Sequence, residues 1–320
     1  MNSIYWQKMS WVIYLKSEIR MMGYHDPVLL NESVDGLITD PAGVYVDVTF
    51  GGGGHSALIL KKINNQGKLF GFDQDPDAKE NVLLDSRFVL IPSNFRYLKD
   101  MLRLEGIFQV DGILADLGVS SHQIDTESRG FSFRFNASMD MRMNPEMEIQ
   151  ASDILKTYDE SNLQRIFSEY GELRNAKTLA KVIVDGRNDL TQMEQIESFL
   201  SLIDSCIRGK RNKYLSQVFQ ALRIEVNKEM DVLKEMLLQS IDLLKPGGRL
   251  SVISYHSLED RLVKRIIQKG TFEAEAEKDF YGNYYKPLKA INKKIICASE
   301  EELKLNSRAR SAKLRIAEKV

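Results

Sequence analysis

Four consecutive glycines, Gly51-Gly52-Gly53-Gly54, follow the apolar, β-branched run Val44-Tyr45-Val46-Asp47-Val48-Thr49-Phe50 and are closed by His55. A helical pattern begins there, with Leu58, Ile59, Leu60 and Ile63 apolar. Strand, glycine turn and helix together bring backbone N–H groups close to a ligand. A second run, Lys68-Leu69-Phe70-Gly71-Phe72, ends in Asp73, about 20 residues beyond the glycines, the spacing at which a carboxylate meets a ribose hydroxyl pair. The chemistry implied is binding of a nucleoside-containing cofactor. The competing reading, a tight turn with no ligand, leaves the conformational entropy of four glycines uncompensated by packing.

The dinucleotide fingerprint G-x-G-x-x-G/A is not excluded by spacing: counted from Gly51 its third glycine falls on Ser56, and counted from Gly52 on Ala57, which the pattern permits. A glycine cluster closed by histidine, with Asp47 inside the preceding strand, looks more like the S-adenosylmethionine (AdoMet) turn of class I methyltransferases. AdoMet lacks a pyrophosphate, so it asks for close backbone approach more than for an anion cradle. Asp116-Leu117-Gly118-Val119-Ser120-Ser121-His122-Gln123 directly follows another strand pattern, Gly112–Asp116. An exocyclic amine on a nucleobase is a poor nucleophile because its lone pair is delocalised into the ring. A carboxylate accepting its N–H bonds restores some sp3 character and aims that lone pair. Asp116 suits this role, or binding of the AdoMet amino group, or a plain strand-end cap.

Other segments carry weaker signals. Gly130-Phe131-Ser132-Phe133-Arg134-Phe135 alternates aromatics beside Arg129 and Arg134, as base-stacking platforms do and as any half-buried strand does. The methionines of Met139-Asp140-Met141-Arg142-Met143 read as gap-filling core. Basic clusters at Arg208–Lys213 and Arg308-Ala309-Arg310 fit contacts to a nucleic-acid backbone or ordinary solvated surface. Ser254–Arg261 presents His256, Glu259, Asp260 and Arg261; a proton-shuttling histidine competes here with helix capping by Ser257 and Asp260. No nucleophile–base pair for hydrolysis and no metal-ligand spacing is present, and the four histidines, His25, His55, His122 and His256, are widely scattered.

These residues require a scaffold of alternating strands and helices. Strands are expected at Val44–Phe50, Lys68–Phe72, Phe88–Ile91 and Gly112–Asp116, with helical patterns between the first of them, which implies a parallel sheet with right-handed crossovers. Ligands bind outside the carboxyl ends of such strands. The glycines, Asp73, Phe95 and Asp116 all fall at strand ends. From Arg129 to Ser216 no strong strand appears, and helices are expected at Ala151–Thr157, Ser161–Tyr170, Ala176–Arg187 and Glu194–Cys206. A long helix, Gln217–Leu244, and the turn Lys245-Pro246-Gly247-Gly248 lead to a fifth strand, Arg249–Ser254. Lys294–Cys297 and Ala312–Ala317 suggest a closing antiparallel hairpin. The expected fold is α/β, a Rossmann-like AdoMet-binding sheet domain (23–128 and 217–320) interrupted by a helical domain (129–216), after an extension of uncertain role (1–22). Length agrees, since 320 residues suit about two domains. With 44 Lys and Arg against 45 Asp and Glu, the chain has no global nucleic-acid signature. Two cysteines exclude a disulfide framework and read as reduced cytoplasmic thiols. No apolar run approaches the ~18 residues of a membrane span, and Met1–Met22 lacks a signal-peptide core and cleavage site.

Taken together, Tyr24-His25-Asp26-Pro27-Val28-Leu29-Leu30, Thr49–His55, Asp73-Gln74-Asp75-Pro76, Asp116–Ser121, Arg129–Phe133, Ser254–Arg261 and Asn306–Arg315 resemble the RsmH (MraW) family of bacterial 16S rRNA cytosine-N4 methyltransferases. The match runs from about Tyr24 to the C-terminus. His122 stands where proline is common in the family, and Met1–Met22 has no counterpart. The resemblance implies AdoMet-dependent methylation of N4 on a decoding-centre cytidine, with 16S rRNA of the small ribosomal subunit as partner and no metal. Carried over position by position, the cofactor contacts fall on Gly53, Gly54, His55, Asp73, Phe95, Asp116 and Gln123. Asp73 would hold the ribose, Phe95 would pack near the adenine, and Asp116 and Gln123 would reach the methionine end. Asp116 is also the candidate catalytic residue, positioning the amine. The alternatives are a non-catalytic, RNA-binding subunit-assembly factor and an NAD-dependent oxidoreductase. The second is disfavoured because no proton donor paired with a hydride-acceptor site is evident.

Overall fold

A computed structural model describes residues 27–188, 193–273 and 286–320. The N-terminal extension 1–22 lies outside the described residues. The chain divides into two compact units, one formed by 1–73, 77–121 and 238–320, the other by 74–76 and 122–237.

The first unit is built on a seven-stranded sheet: β1 (Val44–Asp47), β2 (Lys68–Phe72), β3 (Phe88–Ile91), β4 (Val110–Asp116), β5 (Leu244–Ser254), β6 (Leu288–Ala290) and β7 (Lys313–Lys319), in the order 3-2-1-4-5-7-6. The first five are parallel, and β7 runs antiparallel to β5 and to β6. The central strands are apolar nearly throughout, as strands with both faces covered must be. Ile113, Leu114, Ala115, Leu250, Val252 and Ile253 are fully buried. The helix Gly54–Lys62 packs the Ile59 and Leu60 side into the cluster of Val34, Leu37, Tyr45, Phe50 and Leu69. Because β1 to β5 are parallel, their carboxyl ends share one edge, and Asp47, Asp73, Asp116 and Tyr255 are delivered to it from four strands.

Polar ties fix the register at the opposite edge. Asp111 on β4 accepts from the Val44 amide of β1 at 2.7 Å and from Lys245 of β5 at 2.8 Å. The Tyr45 hydroxyl, on a fully buried ring, accepts from the amides of Thr39 and Asp40 and donates to the Asp40 carbonyl at 2.8 Å.

Two connections in the sheet differ from the sequence expectation. The turn Lys245–Gly248 lies inside β5 as a bulge, between the pairs Val110–Leu244 and Gly112–Arg249, with Gly247 at φ 82° absorbing the extra residues. The partner of β7 in the closing hairpin is Leu288–Ala290; Ile296 makes only a single bridge to Leu314. Five residues, Ile291 to Ile295, lie between Ala290 and Ile296, and among them the Asn292 amide group binds the Leu314 carbonyl and the Ile316 amide in place of a ladder.

The second unit is helical: Ala151–Thr157, Glu160–Glu169, Ala176–Asp185, Ile196–Ile203 and Arg211–Asn227 surround a core of Leu163, Phe167, Leu179, Phe199, Leu215 and Leu222. The long helix expected over Gln217–Leu244 is two helices. Lys228 at φ 51° ends Arg211–Asn227 in a left-handed cap, and Glu229–Leu243 starts immediately after it. Lys228 pairs with the buried Glu225 at 2.6 Å, which also accepts from the Tyr158 hydroxyl at 2.8 Å. That bonding holds the break at a residue without glycine's freedom.

Tyr45→Phe leaves the amides of Thr39 and Asp40 and the Asp40 carbonyl without their shared partner. Unfolding in urea should show a loss of about 0.5–1.5 kcal/mol, with an unchanged denaturant slope.

Candidate active site

The glycine turn is set by hydrogen bonds from below. Gly53 N–H donates to the Phe50 carbonyl at 2.7 Å, and Phe50 N–H to the Phe72 carbonyl at 2.9 Å, tying the turn to β2. Gly51 and Gly53 have φ of 50° and 76°, where a side chain is strained. A Cβ on Gly54 would lie 2.1 Å from Pro27 Cγ, whereas one on Gly51 would meet nothing nearer than the Thr49 carbonyl at 3.9 Å. The turn is therefore sealed on the Pro27 side and open at Gly51. Asp73 follows β2, and its Oδ2 accepts from the Gly51 amide at 2.7 Å. Phe95 is half-buried and opens the short helix Phe95–Tyr97, capped by Asn94.

Behind the turn lies a chain of buried polar groups. Asp47 accepts from Ser56 Oγ at 2.7 Å and from the Thr49 amide at 3.1 Å. The Thr49 hydroxyl in turn accepts from the Asp116 amide at 2.7 Å, linking the ends of β1 and β4. His55 is 6% exposed; its Nε2 is 3.1 Å from the Val28 carbonyl and its Nδ1 is 3.9 Å from Asp116 Oδ2. The Tyr255 hydroxyl donates to Asp116 Oδ1 at 2.7 Å. Asp116 keeps 23% of its side-chain surface open. Burial, reinforced by the charges of Asp47 and Glu259, pushes its carboxyl up to about 6, while His55 and the Tyr255 hydroxyl oppose the rise. Burial also raises Asp47, and it raises Tyr255 well above the ordinary phenol range, with Asp116 adding to that rise.

Five residues named from the sequence, Gly53, Gly54, His55, Asp73 and Asp116, thus lie at or just beyond the carboxyl ends of β1, β2 and β4 in the sheet unit, and Phe95 follows β3 at the same edge. Gln123 belongs to the second unit, where it is buried and donates to Asp75 Oδ2 at 2.7 Å; Arg129 reaches the same oxygen at 2.9 Å. The residue missed by sequence reading is Tyr255. Its signal was available, since it follows β5 directly, one strand over from Asp116.

Several other sequence candidates have structural roles. His256 caps the helix Ser257–Lys269 in a reciprocal box with Glu259, one residue earlier than the Ser257–Asp260 box expected. Asp260 pairs with Arg315 of β7 at 2.7 Å. Arg129 also donates to the Met143 carbonyl at 2.8 Å, and Phe131 and Phe133 pack on the helical core, with Phe133 edge-on to Phe219 at 5.4 Å. Met139 and Met141 are fully buried. The aromatic alternation is therefore that of a half-buried segment. The Arg208–Lys213 cluster borders a groove of about 620 Å³ lined by Phe133, Arg134, Leu200, Arg211, Asn212, Leu215 and Ser216. Arg211 pairs with Asp204, while Arg134, Lys210 and Lys213 are exposed. Among the described residues no helix is long and apolar enough to cross a membrane.

The strand order, with an antiparallel last strand inserted beside β5, and the glycine turn at the end of β1 define a class I methyltransferase sheet. The family model of the MraW methylase family matches residues 22–320, and the chain belongs to that family. It is 57% identical over 300 residues to the ribosomal RNA small subunit methyltransferase H of Flavobacterium johnsoniae, covering 93% of this chain and 99% of the relative. It is 54% identical to the protein of that name from Bacteroides thetaiotaomicron, covering 92% and 97%. Among solved structures, an rRNA methylase from Streptococcus thermophilus aligns with 91% of this chain and 93% of its own at 12% identity, with a TM-score of 0.36.

The raised Asp116 carboxyl has a consequence for stability. The folded protein holds this proton more tightly than the unfolded chain, so the stabilising effect is complete below about pH 4 and is lost as pH rises through about 6. Asp116→Asn removes the ionisation but keeps an acceptor for Tyr255. It should raise stability at pH 8 by on the order of 1–3 kcal/mol and leave it unchanged at pH 4, as read by thermal melts at the two pH values.

Proposed function

We propose that this protein transfers a methyl group from AdoMet to the exocyclic N4 of a cytidine in 16S rRNA of the small ribosomal subunit. The observation that carries this reading is Asp116: a carboxylate at the carboxyl end of β4, bonded to Tyr255 and linked through Thr49 to the strand that feeds the glycine turn. Membership of the MraW methylase family and the name shared by its relatives support it.

The residues fit AdoMet. Gly51 leaves its face of the turn open, while Gly53 and Gly54 let the turn pack closely on Phe50 and Pro27. Asp73, already held at the turn by the Gly51 amide, would take the ribose hydroxyls, Phe95 would flank the adenine, and His55 would fix the turn from behind through Val28. When bound, AdoMet supplies an electrophilic methyl on a sulfonium.

The chain's part is to make the amine nucleophilic. A carboxylate at Asp116 accepts an N–H of N4, localises the nitrogen lone pair and orients it. The lone pair forms the new N–C bond as the C–S bond breaks toward sulfur, and one amine proton passes to Asp116. A carboxyl that titrates near 6 is ionised at neutral pH yet basic enough to accept that proton. For the RNA, the exposed Arg134, Lys210 and Lys213 beside the groove of the helical unit are the assigned backbone contacts. The domain assignment follows: the sheet unit binds the cofactor and the helical insertion recognises rRNA.

Incubating labelled AdoMet with small subunits that lack the modification, then digesting the RNA to nucleosides, should place the label in N4-methylcytidine. Label in another nucleoside would move the target. No label with AdoMet still bound would favour a non-catalytic assembly factor. Asp116→Ala should abolish transfer while leaving the fold intact, as read by circular dichroism. Asp73→Ala should weaken AdoMet binding by about 10- to 100-fold, the loss expected for a charged hydrogen-bond partner.

A further inference from the structure

We propose that Tyr255 is a positioning residue for methyl transfer, committing one oxygen of Asp116 to the chain so that the other alone meets the target amine. The inference rests on the function proposed above and assigns a part to a residue outside the cofactor set.

The geometry divides the two carboxylate oxygens. Oδ1 accepts from the Tyr255 hydroxyl at 2.7 Å. Oδ2 faces Nδ1 of His55 at 3.9 Å, beyond hydrogen-bond length. The other ring nitrogen, Nε2, is 3.1 Å from the Val28 carbonyl, which accepts only. In the neutral ring the proton is therefore on Nε2, and Nδ1 turns a lone pair toward Oδ2. A lone pair offers Oδ2 no donor, so this oxygen keeps its accepting capacity for an amine N–H. Without Tyr255, either oxygen would serve and the side chain would rotate about χ2, a broad torsion for aspartate.

Tyr255 is itself held in place. Its amide donates to Glu259 Oε2 at 2.8 Å, within the box that caps the helix Ser257–Lys269. Its ring lies 3.7 Å from where a Cβ on Gly118 would stand, in the loop after β4. The hydroxyl thus arrives from the end of β5 along a path fixed by a helix cap, and a substitution that keeps the ring keeps that path.

Every charged group facing this pair bears on its titration. Asp47 from β1 and Glu259 from the capped helix add to burial in favouring protonation of Asp116, while the Tyr255 hydroxyl, and His55 when its ring carries a second proton, favour the ionised form. Burial first, then Asp116, with Glu259 and Glu302 adding to it, keeps Tyr255 a phenol. Removing only the phenol donor leaves the burial of Asp116 less opposed, so Asp116 should hold its proton to higher pH.

The test is Tyr255→Phe, with kcat measured against pH and AdoMet affinity measured separately. The expected result is a fall in kcat of about 10- to 100-fold near neutrality, an acidic limb displaced to higher pH, and unchanged AdoMet affinity, with a melting temperature unchanged at pH 4 and lowered near neutrality, where Asp116 is ionised. The loss should be greatest at the acidic end and smallest at the alkaline end. A wild-type profile, or an equal loss at every pH accompanied by a melting temperature lowered at pH 4 as well, would overturn the proposal and leave Tyr255 a packing residue. Carbon-13 NMR of the Asp116 carboxyl reads the same interaction without turnover. If the wild-type protein methylates no RNA, the proposed function fails on its own. An Asp116 titration unmoved by Tyr255→Phe would reject the positioning role in either case.

Discussion

The carboxyl end of β4 lies between β1 and β5, and a carboxylate placed there is surrounded by protein on three sides. Much of the site follows from satisfying it. The Asp116 amide is taken by Thr49, whose own carboxylate neighbour, Asp47, is held by Ser56 from the first turn of the next helix. One oxygen of Asp116 is taken by Tyr255, and Tyr255 is fixed by the cap of the helix that follows β5. A buried charge is tolerated only when its surroundings bond it. Here the bonding network draws in the ends of three strands and two helix starts. What remains unsatisfied is one edge of the carboxylate, with 23% of the side chain open.

The glycine turn obeys a different constraint, one of space. Gly54 has no room for a side chain because Pro27 fills it, whereas a Cβ on Gly51 would meet nothing nearer than 3.9 Å. A fully packed turn would need small residues throughout, and a turn built only for conformation would need glycine only at positive φ. The combination of one sealed and one open glycine suits a backbone that must be braced from behind and approached from the front. Asp73 reinforces it, since its carboxylate is bonded to the Gly51 amide on the open side.

The parallel sheet was legible because both faces of its strands are covered, so each strand is a short apolar run ending at a polar residue. Asp73 and Asp116 were visible as those endings, whereas Asp47 was read inside a strand continuing to Phe50 and in fact closes β1. The bulge in β5 was not, because Lys-Pro-Gly-Gly has the composition of a turn whether it joins two elements or interrupts one. The break at Lys228 was hidden for a related reason: a lysine carries no stop signal, and the left-handed cap there depends on Glu225, whose burial no periodicity reveals. The aromatics Phe131 and Phe133 show the limit of pattern in the other direction. Alternation marks a half-buried segment, and only the packing of Phe133 on Phe219 shows which way the rings face.

Tyr255 and His256 illustrate why the candidate site was read incompletely. Sequence chemistry favours histidine as the functional member of such a pair, since it alone titrates near neutrality. In the fold, His256 is spent on a helix cap, and that cap is what aims its neighbour. A phenol with no inclination to ionise becomes the useful group, because a carboxylate that must accept from an amine is best ordered by a neutral donor. A cation in the same place would hold Asp116 ionised more firmly but would also weaken it as a base. Burial with a single phenolic hydrogen bond keeps the carboxyl near 6, between those extremes. The balance between desolvation and one well-placed donor, more than the identity of any single residue, sets what this edge of the sheet is able to do.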